Sequence, residues 1–495
     1  MPLFSCFGLK AIQMSLFPRF SAVFAAFILL LVANNSVVAQ SEPGLQTADS
    51  LRVRGIFDHA LTASSAYDNL HELCTTIGGR LSGSPEAAAA VEWAEAKMQA
   101  MGLDSVWLQP VLVPHWVRGK KERAVLHMPD GLEKPLAVCA LGGSIGTPGT
   151  GLRAPVVEVF NLDELATLGR EAIEGRIVLF NRPMESRLIN TFNAYSGCVD
   201  QRSSGAAEAA TFGAVAVLVR SMNLREDNLP HTGVMRYRAG GDSIPAAAIS
   251  TADASRLSLA LRENPALEVS LSMHCVNLPD VWSANVIGEI RGTEHPDDIM
   301  LVGGHLDSWD LAQGAHDDGA GCVQSMAVLE AYLDQGWRPK HTLRCVLFMN
   351  EENGARGARL YAEQAALSGE RHVLAVESDR GGFTPRGFAV DGLPGIREAG
   401  LARWRLWASA MGSYGLHWAE PGHAGVDIGF LKDQGTLLFG LVPDSQRYFD
   451  HHHAANDDIS AVNKRELELG AAAMTSLIDL MDRYGLDRLP ELPER

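Results

Sequence analysis

Five residues in the C-terminal half of the chain are suited to holding metal ions, and they stand in a telling order. His305 lies in Gly303-Gly304-His305-Leu306-Asp307-Ser308. Asp317 of Asp317-Asp318-Gly319, Glu352 of Glu351-Glu352, and Asp379 follow, and His453 closes the run His451-His452-His453. Zinc is satisfied by imidazole nitrogen and carboxylate oxygen, usually about four ligands, with one position left open in catalytic sites. Two zinc ions that shared a bridging carboxylate would each need one imidazole and one further carboxylate. His305 and His453 supply the imidazoles, Asp317 the bridge, and Glu352 and Asp379 the remaining carboxylates. Two such ions polarise a scissile carbonyl and lower the pKa of a bridging water. The base that takes the water's proton must stay off the metal, and Glu351 is the natural candidate, as base in attack and acid toward the leaving amine. Asp307, two residues from His305, is placed to fix the imidazole's orientation from behind.

Each fragment alone has a bland reading. A histidine after a strand is commonly a surface or satisfied core residue. Adjacent glutamates often open a helix, where the dipole favours them. Asp-Asp-Gly is ordinary turn chemistry. Asp379 could pair with Arg380, and a histidine triplet could be a sticky surface. The order of the fragments, and their placement after apolar runs, is the stronger signal.

Those runs predict the elements that position the site. Residues 299–302, 343–349, 373–376 and 436–441 are short and nearly continuously apolar, as in strands buried on both faces. Between the first two, Cys322, Met326, Leu329 and Leu333 recur at helical spacing. A last helix begins at Asn463 and Glu466, in a capping-box-like arrangement, and turns Leu467, Met474, Leu477, Ile478 and Met481 inward. Alternating strands and helices predict an α/β fold, a mixed, mostly parallel sheet flanked by helices. Ligands gather beyond the carboxyl ends of such strands, where His305, Glu351, Glu352 and Asp379 fall.

Upstream, a helix is predicted over 66–77, ended by Gly78-Gly79, and a second from Ser84-Pro85 to Gly102. A strand follows near 106–113, while residues 41–62 read as a polar, weakly patterned leader. From 125 to 276 short β-like runs (155–160, 176–180, 214–219, 246–249) alternate with glycine-rich turns and contain none of the metal candidates. The predicted organisation is a signal peptide (1–39), the first part of the catalytic domain (40–124), an inserted β-rich domain without chemistry (125–276), and the catalytic part (277–488).

The chain has 495 residues and a formal net charge of -17, with no basic stripe, which excludes a nucleic-acid partner. Lys10 and Arg19 precede an apolar run over 20–33, then Val37-Val38-Ala39 before Gln40. That is an export signal with a small-residue cleavage site. The expected mature protein is periplasmic or secreted, with no membrane span once the signal is removed; an uncleaved anchor is the alternative. Six cysteines lie beyond Cys6, none in a Cys-x-x-Cys pair, so no zinc ribbon or thioredoxin-type site is expected.

Taken together, the motifs resemble the co-catalytic zinc peptidases of the aminopeptidase and glutamate carboxypeptidase superfamily. The nearest likeness is to the plasma glutamate carboxypeptidase (carboxypeptidase Q)-like branch. It is carried by Gly304-His305-Leu306-Asp307-Ser308-Trp309-Asp310, Gly314-Ala315-His316-Asp317-Asp318-Gly319, Asn350-Glu351-Glu352, Glu377-Ser378-Asp379, Gly425-Val426-Asp427-Ile428 and the histidines before Asn456-Asp457. The resemblance implies a zinc-peptidase fold with two Zn²⁺ per chain, bound by His305, Asp317, Glu352, Asp379 and His453, with Glu351 as base. It also implies that His452 steadies the oxyanion, that the Asp317–Asp318 peptide is cis, and that residues 125–276 are a protease-associated domain. Asp458 departs from the threonine usual in relatives. The implied activity is exopeptidase cleavage of short peptides. Aminopeptidase, dipeptidase and carboxypeptidase action all remain open, and a homodimer is compatible with the family.

Two rival readings are weaker. A catalytically dead binding protein of the same fold would be expected to have lost ligands or base, and none is lost here. Gly142-Gly143-Ser144-Ile145-Gly146 fits a serine-hydrolase elbow, but Thr147-Pro148-Gly149 follows where that motif needs a helix.

Overall fold

In the computed structural model, residues 47–486 are described. The segment read as a signal peptide lies outside them. Among the described residues, no helix is long and apolar enough to cross a membrane.

The continuous apolar runs become the interior strands of an eight-stranded mixed sheet. At its centre His341–Phe348, His295–His305, Arg371–Glu377 and Leu437–Pro443 run parallel to one another in that spatial order. Val276–Ile290 flanks them antiparallel on one side, with Ser105–Val117 antiparallel to it in turn, and Pro385–Asp391 flanks them antiparallel on the other, with Trp418–Pro421 parallel to the last. Leu301, Val302, Leu343, Val346 and Val376 are fully buried. Each such side chain contributes about 1.5–3 kcal/mol by leaving water. Burial on both faces is why these strands show no polar alternation.

The helices behave as their sequences dictate. In Pro85–Met101, Ser84 caps the start by accepting from the Ala87 N–H, Pro85 fits the first turn, and Gly102 ends it in the left-handed conformation. Ala320–Asp334 and Lys464–Leu480 pack together against the sheet. Asn463 caps the latter by accepting from the Glu466 N–H, but the reciprocal half of a capping box is replaced. The Glu466 carboxylate accepts from Thr384 Oγ1 (2.9 Å) and pairs with Arg447 (3.2 Å).

Two expectations need correction. Residues read as a leader form a helix, Thr47–Thr62, which buries Val53, Ile56, Phe57 and Ala60 and packs on Lys464–Leu480. The helix expected over 66–77 is α-helical only over Ala66–Glu72 and then loosens into a π-turn, Leu73–Ile77.

Residues 123–272 build a second eight-stranded mixed sheet with its own apolar cores on its two faces. Ala246–Ile249 forms as expected, and the other three runs appear shifted by one to three residues at their ends. Ser144 is buried in this part. Its Oγ accepts from the Ala246 N–H (2.9 Å) and donates to the Ile145 carbonyl, and no helix follows it. It cannot serve as an elbow nucleophile. The six described cysteines are all free and buried.

Candidate metal centre and active site

The parallel order of the four central strands sets their carboxyl ends side by side, and the candidate residues leave from there. His305 is the last residue of its strand, Glu351 and Glu352 follow Phe348 by three and four positions, and Asp379 follows Glu377 by two. Asp317 reaches in from the turn Ala315–Gly319 that leads into the helix Ala320–Asp334. The Asp317–Asp318 peptide is cis. His453 sits in the loop after Leu437–Pro443, at a left-handed φ of 62°. That conformation is costly for a residue with a β-carbon and is kept mainly where surroundings enforce it.

All five side chains meet. Asp317 turns Oδ1 to His305 Nε2 (3.3 Å), which also lies 3.5 Å from Asp379 Oδ1. It turns Oδ2 to His453 Nε2 (3.2 Å), which lies 3.1 Å from Glu352 Oε2. One carboxylate therefore faces two imidazole–carboxylate pairs.

Tautomers decide what these short distances mean. His305 Nδ1 lies 2.9 Å from the Asp307 carbonyl oxygen, and His453 Nδ1 lies 3.3 Å from that of Thr232. A carbonyl only accepts, so His305 Nδ1 carries a hydrogen and its Nε2 is left to face Asp317 and Asp379. Lone pairs pointed at carboxylates repel unless a proton or a cation stands between. His305 Nε2, Asp317 Oδ2 and Glu352 Oε1 are moreover buried with no hydrogen-bond partner. Nitrogen and oxygen donors converging in this way fit divalent cations of the zinc type. The electrostatics agree. Burial drives the Glu352 carboxyl up to about 7, aided by Asp317. Burial opposes charge on His453, yet Glu352 and Asp317 outweigh it and raise the imidazole to about 9. The cluster holds more negative charge than its imidazoles balance.

Glu351 lines the cavity above this cluster without joining either group. Burial holds its carboxyl well above the usual range; His305 opposes, while Asp379 and Glu352 add to the rise. His452 stacks on His453 (ring centroids 3.6 Å apart) and lies 3.8 Å from Asp317 Oδ2. His453 is the better ligand, being nearer Asp317 and alone in reaching Glu352. The Asp318 carboxylate, which also lies within reach of His305 and Asp379, accepts the His305 N–H (3.2 Å) and the Gly321 N–H (2.9 Å).

Asp307 acts differently from expectation. Its backbone carbonyl, not its carboxylate, orients His305; the carboxylate Oδ1 lies 3.9 Å from the ring nitrogen. That oxygen instead accepts the N–H groups of Asn350 (2.7 Å) and Glu351 (3.0 Å), so it anchors the loop that carries the base.

Two supporting roles escaped the sequence reading. Arg80 is fully buried and donates to the carbonyls of Leu306 (2.6 Å), Gln313 (2.6 Å) and Gly314 (3.1 Å), tying both ends of the 306–314 loop. Gly79 makes this possible: a β-carbon there would press on the backbone of residues 309–312. Asp457 accepts the N–H groups of His316 (2.7 Å) and Asp317 (3.1 Å), and burial raises its carboxyl to about 8. Their only trace in sequence was adjacency, Arg80 to Gly78-Gly79 and Asp457 to the histidine run.

The segment 125–276 is not chemically mute, as had been expected. It delivers Thr232 to His453, and Tyr195, Arg202 and Arg236 to the cavity. That cavity, about 440 Å³, is lined by Asp317, Glu351, Glu352, Asp379, His452 and His453, a size suited to a small ligand. A larger cavity of about 1050 Å³ opens beside Arg118 and Asp310 and includes none of the five metal candidates. Trp309 is a core residue of the second sheet's cluster, whereas Tyr448 both packs and lines the active cavity.

With this geometry in view, the comparisons with known proteins are decisive. The family model for peptidase family M28 matches residues 285–478. Carboxypeptidase Q of Bos taurus is 36% identical over 407 residues, covering 82% of this chain and 83% of that one. The chain belongs to peptidase family M28. The Homo sapiens carboxypeptidase Q is 37% identical over the same shares. Among solved structures, the peptidase M28 precursor from Shewanella amazonensis superposes with a TM-score of 0.84 at 32% identity, covering 90% of this chain and 99% of that one. A zinc aminopeptidase from Bacillus subtilis shares the fold, with a TM-score of 0.58 at 20% identity over 84% of this chain and 95% of its own. Family M28 is the co-catalytic zinc peptidase superfamily that the motifs resemble, so this M28 protein is a zinc metallopeptidase with the expected α/β fold.

Proposed function

We propose that this M28 peptidase is an exported exopeptidase that holds two zinc ions per chain and cleaves short peptides by general-base hydrolysis. One ion is assigned to His305, Asp317 and Asp379, the other to His453, Asp317 and Glu352. The observation that carries the assignment is the pair of imidazole Nε2 atoms facing opposite oxygens of Asp317. Zinc in such a centre supplies Lewis acidity toward the peptide carbonyl and an acidified water. Glu351 would take the water's proton and pass it to the leaving amine, from its place in the cavity wall outside both ligand groups. His452 is assigned as the donor that steadies the developing oxyanion, from its place in the cavity wall beside His453. Asp307 and Asp457 position the base and the bridge through backbone N–H groups.

The reading of the second sheet as an inserted protease-associated domain rests on its own cores and its place in the chain. Export rests on the N-terminal sequence pattern, and the expected homodimer on family likeness. Elemental analysis of purified, zinc-reconstituted protein, together with a screen of dipeptides and terminally blocked peptides, tests the function. The expected result is two zinc per chain and cleavage that needs a free terminus. One zinc per chain would remove the bridging role of Asp317; indifference to blocking both termini would remove the exopeptidase assignment.

A further inference from the structure

The strand His295–His305 carries metal-type residues at both of its ends. His305 closes it at the catalytic cluster. At its other end, about 30 Å away at the rise of an extended chain, a separate group of donors converges. One donor atom from each of His295, Asp298 and His341 lies within 4.8 Å of the others. None of the three lines the active cavity.

The local sequence explains the convergence. His295 and His341 are register partners on adjacent parallel strands, but the next partners are Ile299 and Thr342. Residues 296–298 therefore bulge out of the ladder. On an unbroken strand, residues 295 and 298 would face opposite sides of the sheet. The bulge brings Asp298 round to the histidine pair. Pro296 suits a bulge because it has no N–H to give the ladder, and Thr342 Oγ1 donates to its carbonyl (2.8 Å). The two imidazole rings stack, with centroids 4.7 Å apart and 23° between their planes.

His341 is prepared to be a ligand. It is buried, and its Nδ1 lies 2.9 Å from Asp482 Oδ1. A carboxylate only accepts, so Nδ1 carries the hydrogen and Nε2 keeps its lone pair. Asp482, also buried, is itself fixed by the N–H groups of Lys340 (2.9 Å) and His341 (3.0 Å). A carboxylate behind an imidazole holds the ring's orientation and makes its far nitrogen a better donor to metal. Among the described residues, no hydrogen bond reaches that far nitrogen or either ring nitrogen of His295. Arg371 grips both oxygens of Asp298, each of which keeps a further lone pair. The nearby cations Arg371 and Lys340 are each taken by an acid, Asp298 and Glu294, and Asp482 adds another negative charge.

Two imidazoles with free nitrogens and one carboxylate are the donor set of a borderline divalent ion, and the exposure of His295 lets water complete the coordination. We infer that His295, Asp298 and His341 form a further, non-catalytic site for a divalent ion of the zinc type. The ion clips the start of one central strand to its neighbour and, through Asp482, to the turn Met481–Gly485 that follows the last helix. The inference is independent of how many ions the catalytic centre holds.

The test equilibrates zinc-loaded wild type and His295→Ala against the same series of buffered free-zinc concentrations and measures bound zinc by elemental analysis. His295 is exposed, so its variant is safe for folding. At saturation wild type should hold one zinc per chain more than His295→Ala, with equal kcat/KM on a dipeptide. Asp298→Asn should bind the extra ion at least about 10-fold more weakly. Free zinc at about 100 times the Kd of this site should raise the thermal midpoint of wild type about 3 °C more than that of His295→Ala. Equal zinc content in wild type and His295→Ala at every concentration overturns the site. So does a His295→Ala variant whose activity falls along with its zinc, since the lost ion would then belong to the catalytic centre.

Discussion

Arg80→Met is the sharpest test of how the centre is held, because Arg80 touches no ligand side chain. Its guanidinium donates to the carbonyls of Leu306, Gln313 and Gly314, two of these bonds at 2.6 Å. Hydrogen bonds from a charged donor contribute about 1.5–3 kcal/mol each. The two short ones alone amount to about 3–6 kcal/mol, and relief of the buried charge returns part of it. Methionine fills much of the volume but satisfies none of the three oxygens, so a net loss of about 3–5 kcal/mol is expected. The loop so released joins His305 to Asp317. A displacement of about 1 Å at a catalytic centre costs on the order of 100-fold in rate. Denaturant unfolding gives the stability, chelator competition the zinc affinity, and steady-state assay the rate. Arg80→Lys should fall between, since one ammonium cannot span carbonyls on both ends of the loop. If Arg80→Met kept stability within about 1 kcal/mol and held zinc like wild type, the clamp would be refuted.

Other outcomes follow from the same geometry. Glu351→Gln should lower turnover by about 10²- to 10⁴-fold with zinc content intact; near-normal activity would remove Glu351 as base. His305→Ala should lower zinc stoichiometry as well as rate, and full occupancy in that variant would strike it from the ligand set. Acid should destabilise the fold through His372. Burial, with Arg344 adding, lowers its imidazole to about 4, and its Nε2 accepts from Tyr361 Oη (2.7 Å), which accepts from Arg344. The neutral form is the folded one, so its contribution is complete above about pH 6.5 and declines as pH falls toward 4. Between pH 7.5 and 5 the loss is about 2 kcal/mol. Unfolding midpoints of wild type against His372→Gln at the two pH values check it, and equal pH dependence would discard it.

The central strands were legible because burial on both faces leaves an uninterrupted apolar run, and the ligands because each follows such a run at a sheet end. The helix Thr47–Thr62 was missed although Val53, Ile56, Phe57 and Ala60 have helical spacing. Its other faces are polar enough to hide the stripe, and only packing on the last helix gives the stripe a partner. The supporting roles of Arg80 and Asp457 were invisible for a different reason. Both act on backbone carbonyls and N–H groups, which every residue owns, so no side-chain pattern betrays them. The same holds for Asp307, whose carbonyl rather than carboxylate meets His305. Arg202 and Arg236 of the cavity wall went unread because they lie in a segment with none of the metal candidates, some 70 to 250 positions from the loops they face.

The anchoring of the histidine loop bears on modularity. His453 leans on the Thr232 carbonyl and in turn receives the Thr232 N–H at its own, and the His452 carbonyl is gripped by His231 Nδ1 at 2.7 Å. The piece of chain bearing one imidazole is thus moored to the neighbouring sheet, outside the scaffold that carries the other. Excising or swapping that neighbour would remove a bearing wall, not a detachable lid, so recombination between relatives must exchange both parts as a matched set.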